Sequence, residues 1–134
     1  QRDGLLARGV LREIYDKAKS ADMALISVGN VSDHNLMLAL GVVDREVAAL
    51  RAAGAVGDVL GNWLDAEGRP VDHPLNQRMV ALSLDDLARI PTVVLASGGS
   101  YKFEIIRAAL RRRCINVLIT DEKLAERLAE DREG

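Results

Sequence analysis

The chain has 134 residues with a formal net charge of -2, 49% hydrophobic residues and only 3% aromatic ones. This length predicts one domain, the apolar content excludes a disordered chain, and the mixed charges give no support for nucleic-acid binding by this segment. A single cysteine excludes an internal disulfide or a cysteine-based metal site, and no apolar run is long enough to span a membrane, so we expect a cytoplasmic protein.

The first forty residues predict two helical pieces separated by a strand and a polar loop. Apolar residues at helical spacing predict a helix over Leu5–Ala18. Asp22–Gly29 predicts a buried strand that ends in glycine, and Asn30–Asp33 is a polar loop after it. Leu36–Leu40 predicts a short helical piece. Because ligands bind outside the carboxyl ends of the strands in open α/β sheets, the polar loop is a candidate site.

A second helix and a glycine-punctuated segment follow. Asp44 is expected to cap the helix, and Val47, Leu50 and Ala53 would form its apolar stripe. Residues 54–64 contain three glycines between apolar residues and are predicted to be β-like. We therefore predict strand rather than helix for the segment that follows this second helix.

An antiparallel strand pair is predicted around the Asp65–Gly68 turn, where Gly68 is available for a positive φ. Val71–Asn76 is expected to continue in an extended conformation, broken by Pro74, and Arg78–Leu82 has the pattern of another strand. This pair would be a β-hairpin inserted between parallel strands.

Strands and helices alternate again in the last third of the chain. Ser83 is expected to cap a short helix, Val93–Ala96 is a buried strand, Ile115–Ile119 is the last strand, and Thr120 is expected to cap the terminal helix. The alternation predicts an α/β fold with a mostly parallel, Rossmann-like sheet, helices on both of its faces and the β-hairpin as an insertion.

The turn after Val93–Ala96 is the strongest candidate for ligand binding. Gly98 and Gly99 end the strand, Ser100 is a candidate helix N-cap, and Lys102 lies in the first helical turn, where a cation opposes the helix dipole. Free backbone N–H groups beside a lysine favour an anion such as a phosphate or carboxylate. The same turn also occurs in α/β domains without a ligand, so both interpretations stay open.

Other polar residues are weaker candidates. Asp58 lies among residues that are expected to be buried, where a sugar hydroxyl or backbone amides would satisfy its carboxylate. His34 and His73 have no metal-ligand spacing and are interpreted as loop residues. Cys114 is interpreted as a small apolar residue, and the arginines at 111–113 before it suit a helix C-terminus without requiring a partner. We expect no metal, no cofactor and no catalytic residue.

Several stretches, taken together in their order along the chain, resemble one family. They are Leu50–Asp58, Asp65–Val71, His73–Arg78, Ile90–Val94, Gly98–Lys102 and Val117–Glu122. The chain resembles the sugar-binding (effector) domain of SorC-type, DeoR-like bacterial transcriptional regulators, and the resemblance covers nearly its whole length.

This resemblance implies a fold like that of ribose-phosphate isomerase and glucosamine-phosphate deaminase. It implies a domain that senses a sugar or phosphosugar and controls oligomerisation, as a dimer or tetramer, and operator affinity. The Gly-Gly-x-x-Lys turn of the family contributes to phosphate binding, which maps onto Gly98, Gly99 and Lys102, and its acidic residue after Ala-Val-Gly maps onto Asp58 as the sugar contact. The loop after the strand adds Gly29, Asn30 and Ser32 as ligand-binding residues.

The chain also departs from the family pattern. The helix-turn-helix is missing, as is the first half of the effector domain with its phosphate loop, so residues 1–134 are expected to be a single effector domain truncated at its N-terminus. Arginines stand at 111–113 where the family often has Arg-Gly-Gly. Two alternatives to a sensor remain: an enzyme of the related sugar-phosphate isomerase or deaminase class with Asp58 as the base, and an oligomerisation domain with a vestigial pocket.

Overall fold

The computed structural model describes residues 2–32, 35, 39–40 and 44–131. Asp33 and His34, and most of the helical piece predicted at Leu36–Leu40, lie outside the described residues. Among the helices described, none combines the length and the apolar character needed to cross a membrane.

Seven α-helices are found in the described part of the chain. They are α1 (Arg2–Leu6), α2 (Gly9–Lys19), α3 (Asp44–Ala52), α4 (Pro74–Arg78), α5 (Leu84–Ala88), α6 (Phe103–Arg111) and α7 (Glu122–Glu130). The one helix predicted over Leu5–Ala18 is therefore two. They are separated because Arg8, immediately before α2, has an extended backbone with φ -80° and ψ 129°.

The strands form two three-stranded sheets. The parallel sheet has the order β1-β5-β6, made of β1 (Met23–Ile26), β5 (Thr92–Ala96) and β6 (Val117–Ile119). The antiparallel sheet has the order β2-β3-β4, made of β2 (Val28–Asn30), β3 (Gly57–Val59) and β4 (Asn62–Leu64). The prediction of an α/β fold with a parallel sheet and an added hairpin is confirmed.

The single strand predicted at Asp22–Gly29 is wrong in one respect, because the chain changes sheets at Ser27. Residues before Ser27 pair with β5, and residues after it pair with β3. The apolar residues on the two sides of Ser27 carry no signal for such a change of partner, because both halves have the same strand-like composition.

The parallel sheet has one covered and one exposed face. Ile26, Val93 and Leu95 are buried in the main core, which includes α6 residues. The opposite face carries Leu25, 73% exposed, and Ile119, 57% exposed. Helices on both faces were expected, but the described residues leave this second face open.

The predicted strand pair around Asp65–Gly68 is only partly found. The antiparallel hairpin of β3 and β4 turns at Leu60-Gly61 instead, where both residues have positive φ, of 52° and 80°. The Asp65–Gly68 turn exists and brings Leu64 to Pro70 in an isolated bridge. A Leu-Gly pair is an unusual two-residue turn, since Asn or Asp normally precedes the glycine, which explains the missed turn.

No strand forms at Arg78–Leu82, and Val71–Asn76 is not extended to its end, because α4 begins at Pro74. Proline is favoured at the first position of a helix, and the His73 side chain caps this one by accepting a hydrogen bond from the Leu75 N–H. The helix then places the Asn76 side chain against β4, where it bonds both backbone groups of Trp63 at 2.7 and 3.0 Å.

The capping predictions had mixed outcomes. Ser83 caps α5 as predicted, with its hydroxyl accepting from the Asp86 N–H. Thr120 does not cap α7, because the Asp121 side chain accepts from the Leu124 N–H instead. Ser100 does not cap α6 but begins a turn of 3₁₀-helix over Ser100–Lys102. Each error is a shift of one to three residues, the least certain part of any helix assignment.

The stripe predicted on α3 is buried at Val47 and Leu50, whereas Ala53 lies beyond the end of the helix and is exposed. Both buried residues pack in a second core cluster with Trp63. This cluster holds α3 against the antiparallel sheet, and the antiparallel sheet contributes one wall of the site described next.

Candidate functional site

A cavity of about 480 Å³ opens between β2, the β3–β4 turn and the start of α6. Its lining residues are Ser27, Val28, Gly29, Asn30, Asn35, Asp58, Leu60, Gly61, Met79, Tyr101 and Lys102. The volume is in the range of small-molecule sites, and the polar groups converge from several elements of the fold.

Lys102 lies at the carboxyl edge of the parallel sheet. Its Nζ donates to Ser97 Oγ at 3.1 Å, and Ser97 follows β5 directly. Ser27 Oγ, which follows β1, donates to the same hydroxyl at 3.4 Å. Because β1 and β5 are parallel neighbours, their ends bring the two serines and the lysine together, and the ammonium keeps further donors for a ligand.

Asp58 lies in the middle of β3, opposite Gly29 of β2, and is only 6% exposed. Its Oδ1 accepts from Asn35 Nδ2 at 2.8 Å and its Oδ2 accepts from the Gly61 N–H at 3.0 Å. Burial raises the pKa of this carboxyl, and the hydrogen bonds from Asn35 and Gly61 and the charge of Lys102 oppose that rise. Each carboxylate oxygen retains acceptor capacity, so a sugar hydroxyl is a suitable further donor.

Asn35 was missed by the sequence analysis and is the main polar partner of Asp58. It is 4% exposed, and its Nδ2 also donates to the Asn30 backbone oxygen at 2.8 Å. Gly29 makes this approach possible, because a Cβ at position 29 would collide with the Asn35 amide and lie 2.7 Å from Asp58 Oδ1. The one hint in the sequence was that Asp58 is predicted to be buried, because a buried carboxylate needs a hydrogen-bond donor. The sequence did not identify Asn35 as that donor.

The loop residues take different positions. Gly29 and Asn30 line the cavity. Ser32 is not among the lining residues, and its hydroxyl donates to Asn30 Oδ1 at 2.8 Å, which orients the asparagine side chain. Arg51 of α3 donates to the Val31 backbone oxygen at 2.8 Å and so holds the loop against the helix.

Gly98 and Gly99 are not among the residues that line the cavity. Gly99 has φ 100° and its N–H donates to Asp121 Oδ2 at 2.7 Å. The carboxylate that this turn holds therefore belongs to the chain itself. Asp121 also caps α7, and the hydrogen bond from Gly99, followed by that from Leu124, lowers the pKa of its carboxyl.

Asp121→Ala is expected to lower the midpoint of thermal unfolding at about pH 7, because the N–H groups of Gly99 and Leu124 both lose their acceptor. The folded pKa of Asp121 lies below 3.8, so this stabilisation is complete above pH 3.8 and is lost as the pH falls through the lower folded value. Thermal unfolding across this pH range measures the difference between the two proteins, which should shrink in acid. Glu126→Ala, an exposed change on α7, is the control and should unfold like the wild type.

The other candidates are structural. His73 is buried rather than a loop surface residue, and its Nε2 lies 3.3 Å from Glu46 Oε2. Because Nδ1 accepts from the Leu75 N–H, the proton of a neutral ring lies on Nε2, facing Glu46. Cys114 is buried as expected, and burial raises the pKa of its thiol. In the described residues, no group of three or more His, Cys, Asp or Glu side chains is arranged to hold a metal ion.

The chain is similar to known bacterial regulators in both sequence and structure. Residues 1–130 match the family model described as "Putative sugar-binding domain". The deoxyribonucleoside regulator of Bacillus subtilis is 36% identical over 121 residues, which is 90% of this chain and 39% of the regulator. The chain thus spans about two fifths of the length of this curated relative.

Solved structures give the same relationship. A DeoR family transcriptional regulator from Listeria monocytogenes has a TM-score of 0.86 and 30% identity, covering 93% of this chain and 51% of its own. The full-length sorbitol operon regulator SorC from Klebsiella pneumoniae has a TM-score of 0.84 and 25% identity, covering 95% of this chain and 42% of its own.

Proposed function

Since the chain belongs to the sugar-binding domain family of SorC- and DeoR-type transcriptional regulators, we propose that it binds a sugar or phosphosugar effector in the cavity beside Asp58 and Lys102. The observation that carries this proposal is that one cavity is lined both by the Lys102 ammonium and by the buried carboxylate of Asp58 with its Asn35 partner. Such a site has one end for an anion and another for hydroxyl groups.

The anionic end of the effector is assigned to Lys102. Its ammonium interacts with a phosphate oxygen, and the Ser27 and Ser97 hydroxyls beside it supply further hydrogen bonds. Gly98 and Gly99 contribute by positioning the turn that carries the lysine. Direct contact of the Gly99 N–H with phosphate requires that Asp121 release it.

The hydroxylated end is assigned to the Asp58 network. Asp58 accepts a hydrogen bond from a sugar hydroxyl, and its raised pKa does not prevent this, because either protonation state retains acceptor capacity. Gly29 and Asn30 form the adjacent wall, and Ser32 acts through Asn30. The wall formed by Leu60 and Met79 is apolar and covers the less polar side of the ligand.

The effector acts by changing the balance between states of a larger regulator. A ligand shifts such a balance only if it binds the states with different affinity, and the proposed readout is a changed homo-oligomer interface and operator affinity. DNA contact belongs to a helix-turn-helix domain outside this chain, in a cytoplasmic regulator. The apolar sheet face around Leu25 and Ile119 supports a truncated effector domain whose remaining part covers it.

One observation favours an enzyme as the second candidate. A buried carboxylate with a raised pKa is a possible general base, as an isomerase or deaminase of sugar phosphates requires. Against this, both oxygens of Asp58 are already hydrogen-bonded to Asn35 and Gly61, which suits a fixed acceptor. We therefore assign no catalytic residue.

Calorimetric titration with a panel of pentose and hexose phosphates, each beside its unphosphorylated sugar, tests the proposal. We expect a phosphosugar to bind at one site per chain and to be recovered unchanged. Absence of heat for every member, in a protein shown to be folded, contradicts the sensor function. Recovery of an isomerised or deaminated product supports the enzyme instead.

A further inference from the structure

A second cavity, of about 360 Å³, lies between α6 and α7, at the end of α6 opposite Lys102. We call it the α6–α7 cleft. Its lining residues are Arg107, Leu110, Arg111, Arg113, Leu128 and Asp131. Three arginines and one aspartate therefore line a cavity that the proposed effector site does not use.

The arginines of the cleft have more hydrogen-bond donors than the acceptors around them. Arg107 Nη1 donates to Asp131 Oδ2 at 3.3 Å, but Arg107 Nε is buried without a hydrogen-bond acceptor among the described residues. Arg111 Nη1 donates to the Ala66 backbone oxygen at 3.0 Å. Because each guanidinium carries five N–H donors, these two hydrogen bonds use only a small part of the donor capacity of the arginines that line the cleft.

Arg113 has a backbone conformation that normally selects glycine. Its φ is +58°, and it follows Arg112, the C-cap of α6, at the position where helices commonly end in a left-handed residue. Its side chain is exposed, so burial does not compensate for the strain. This strained backbone therefore has no packing explanation, and it lies on the wall of a cleft that two other arginines also line.

We propose that the α6–α7 cleft is a second ligand site, which binds the oxyanion group of a small phosphorylated or carboxylated metabolite. The planar donors of arginine match the paired oxygens of phosphate and carboxylate, and the Arg107–Asp131 pair already has this chemistry. Leu110 and Leu128 contact the apolar part of the ligand. Because α6 joins the cleft to the turn that carries Lys102, an occupant can influence effector binding through one helix.

The experiment measures binding of inorganic phosphate and of citrate by calorimetry, at constant ionic strength set with sodium chloride. The two anions distinguish a phosphate from a carboxylate ligand. We expect at least one to bind the wild type, and Arg113→Gly to weaken that binding about tenfold. The same substitution should raise the midpoint of thermal unfolding without ligand, because glycine removes the backbone strain.

Arg111→Gln is a second variant that should weaken anion binding without changing position 113. Arg12→Gln, an exposed arginine on α2, is the matched control and should bind like the wild type. In Lys102→Met, the cleft should keep its anion affinity, which separates this site from the effector cavity. Equal binding by wild type, Arg113→Gly and Arg111→Gln overturns the proposal, as does binding of neither anion or loss of all anion binding in Lys102→Met.

Discussion

Lys102→Met is expected to weaken phosphosugar binding by about 10- to 100-fold, the usual range for loss of a hydrogen bond to a charged group. Methionine keeps the unbranched length of the side chain and removes only the charge and the donors. Lys102 is half-buried and its Nζ makes one hydrogen bond within the described residues, so the fold should be little affected. Calorimetry gives the dissociation constant for the two proteins.

The matched control for this change is Lys17→Met, which removes an exposed lysine on α2. It should leave the dissociation constant unchanged. An unphosphorylated sugar should lose much less affinity than its phosphate in Lys102→Met, because only the phosphate uses the ammonium. Equal losses for the two ligands would show that Lys102 shapes the cavity rather than binding the phosphate.

Gly57→Ala is expected to destabilise the protein by about 3 kcal/mol or more, since overpacking of a tight site forces the backbone to move. A Cβ at position 57 would collide with the Gly29 backbone oxygen and lie 2.6 Å from Ile105 Cγ1. The first neighbour is backbone of β2, and the second is a fully buried side chain of α6 whose Cβ would also lie 2.7 Å away, so neither can move aside freely. Urea denaturation gives the free energy of unfolding.

Gly4→Ala is the control for this prediction. A Cβ at position 4 meets no atom within 4 Å, and the residue lies inside α1, where alanine is favoured over glycine. This variant should be as stable as the wild type or slightly more stable. A Gly57→Ala protein that unfolds at the wild-type urea concentration would contradict the close contact of β2, β3 and α6.

The sequence predicted the regular parts of the fold well. Val93–Ala96 forms β5, extended by Thr92, and Ser83 caps α5. Both were predictable because apolar runs and capping residues are local signals. Which strands pair with each other is not marked by a local signal in the sequence. The division of Asp22–Gly29 between two sheets depends on contacts with β5 and β3, about 30 to 70 residues further along the chain.

The candidate site was predicted in part, for the same reason. Asp58 and Lys102 line the same cavity, together with Gly29 and Asn30. Asn35 was missed, because its contact with Asp58 joins residues 23 positions apart and no local pattern marks it. Met79 was also missed, because residues 78–82 were assigned to a strand that does not form.

The glycine turn binds an anion of the chain itself, and its role towards a phosphate stays a prediction. The turn does present a backbone N–H, that of Gly99, to a carboxylate, as the pattern of its glycines predicts. That carboxylate is Asp121, 22 residues later in the chain, at the start of α7. The anion preference of the turn was visible in the sequence, whereas the identity of the nearest anion depended on the packing of α7.

The most direct test of the account is an amide NMR titration with the phosphosugar that binds best in calorimetry. We predict chemical-shift changes concentrated at Gly29, Asp58, Gly61 and Lys102, with much smaller changes for an unphosphorylated sugar at Lys102. Changes confined to the α6–α7 cleft, with those four amides unmoved at saturation, would contradict the assignment of the effector to the cavity beside Asp58.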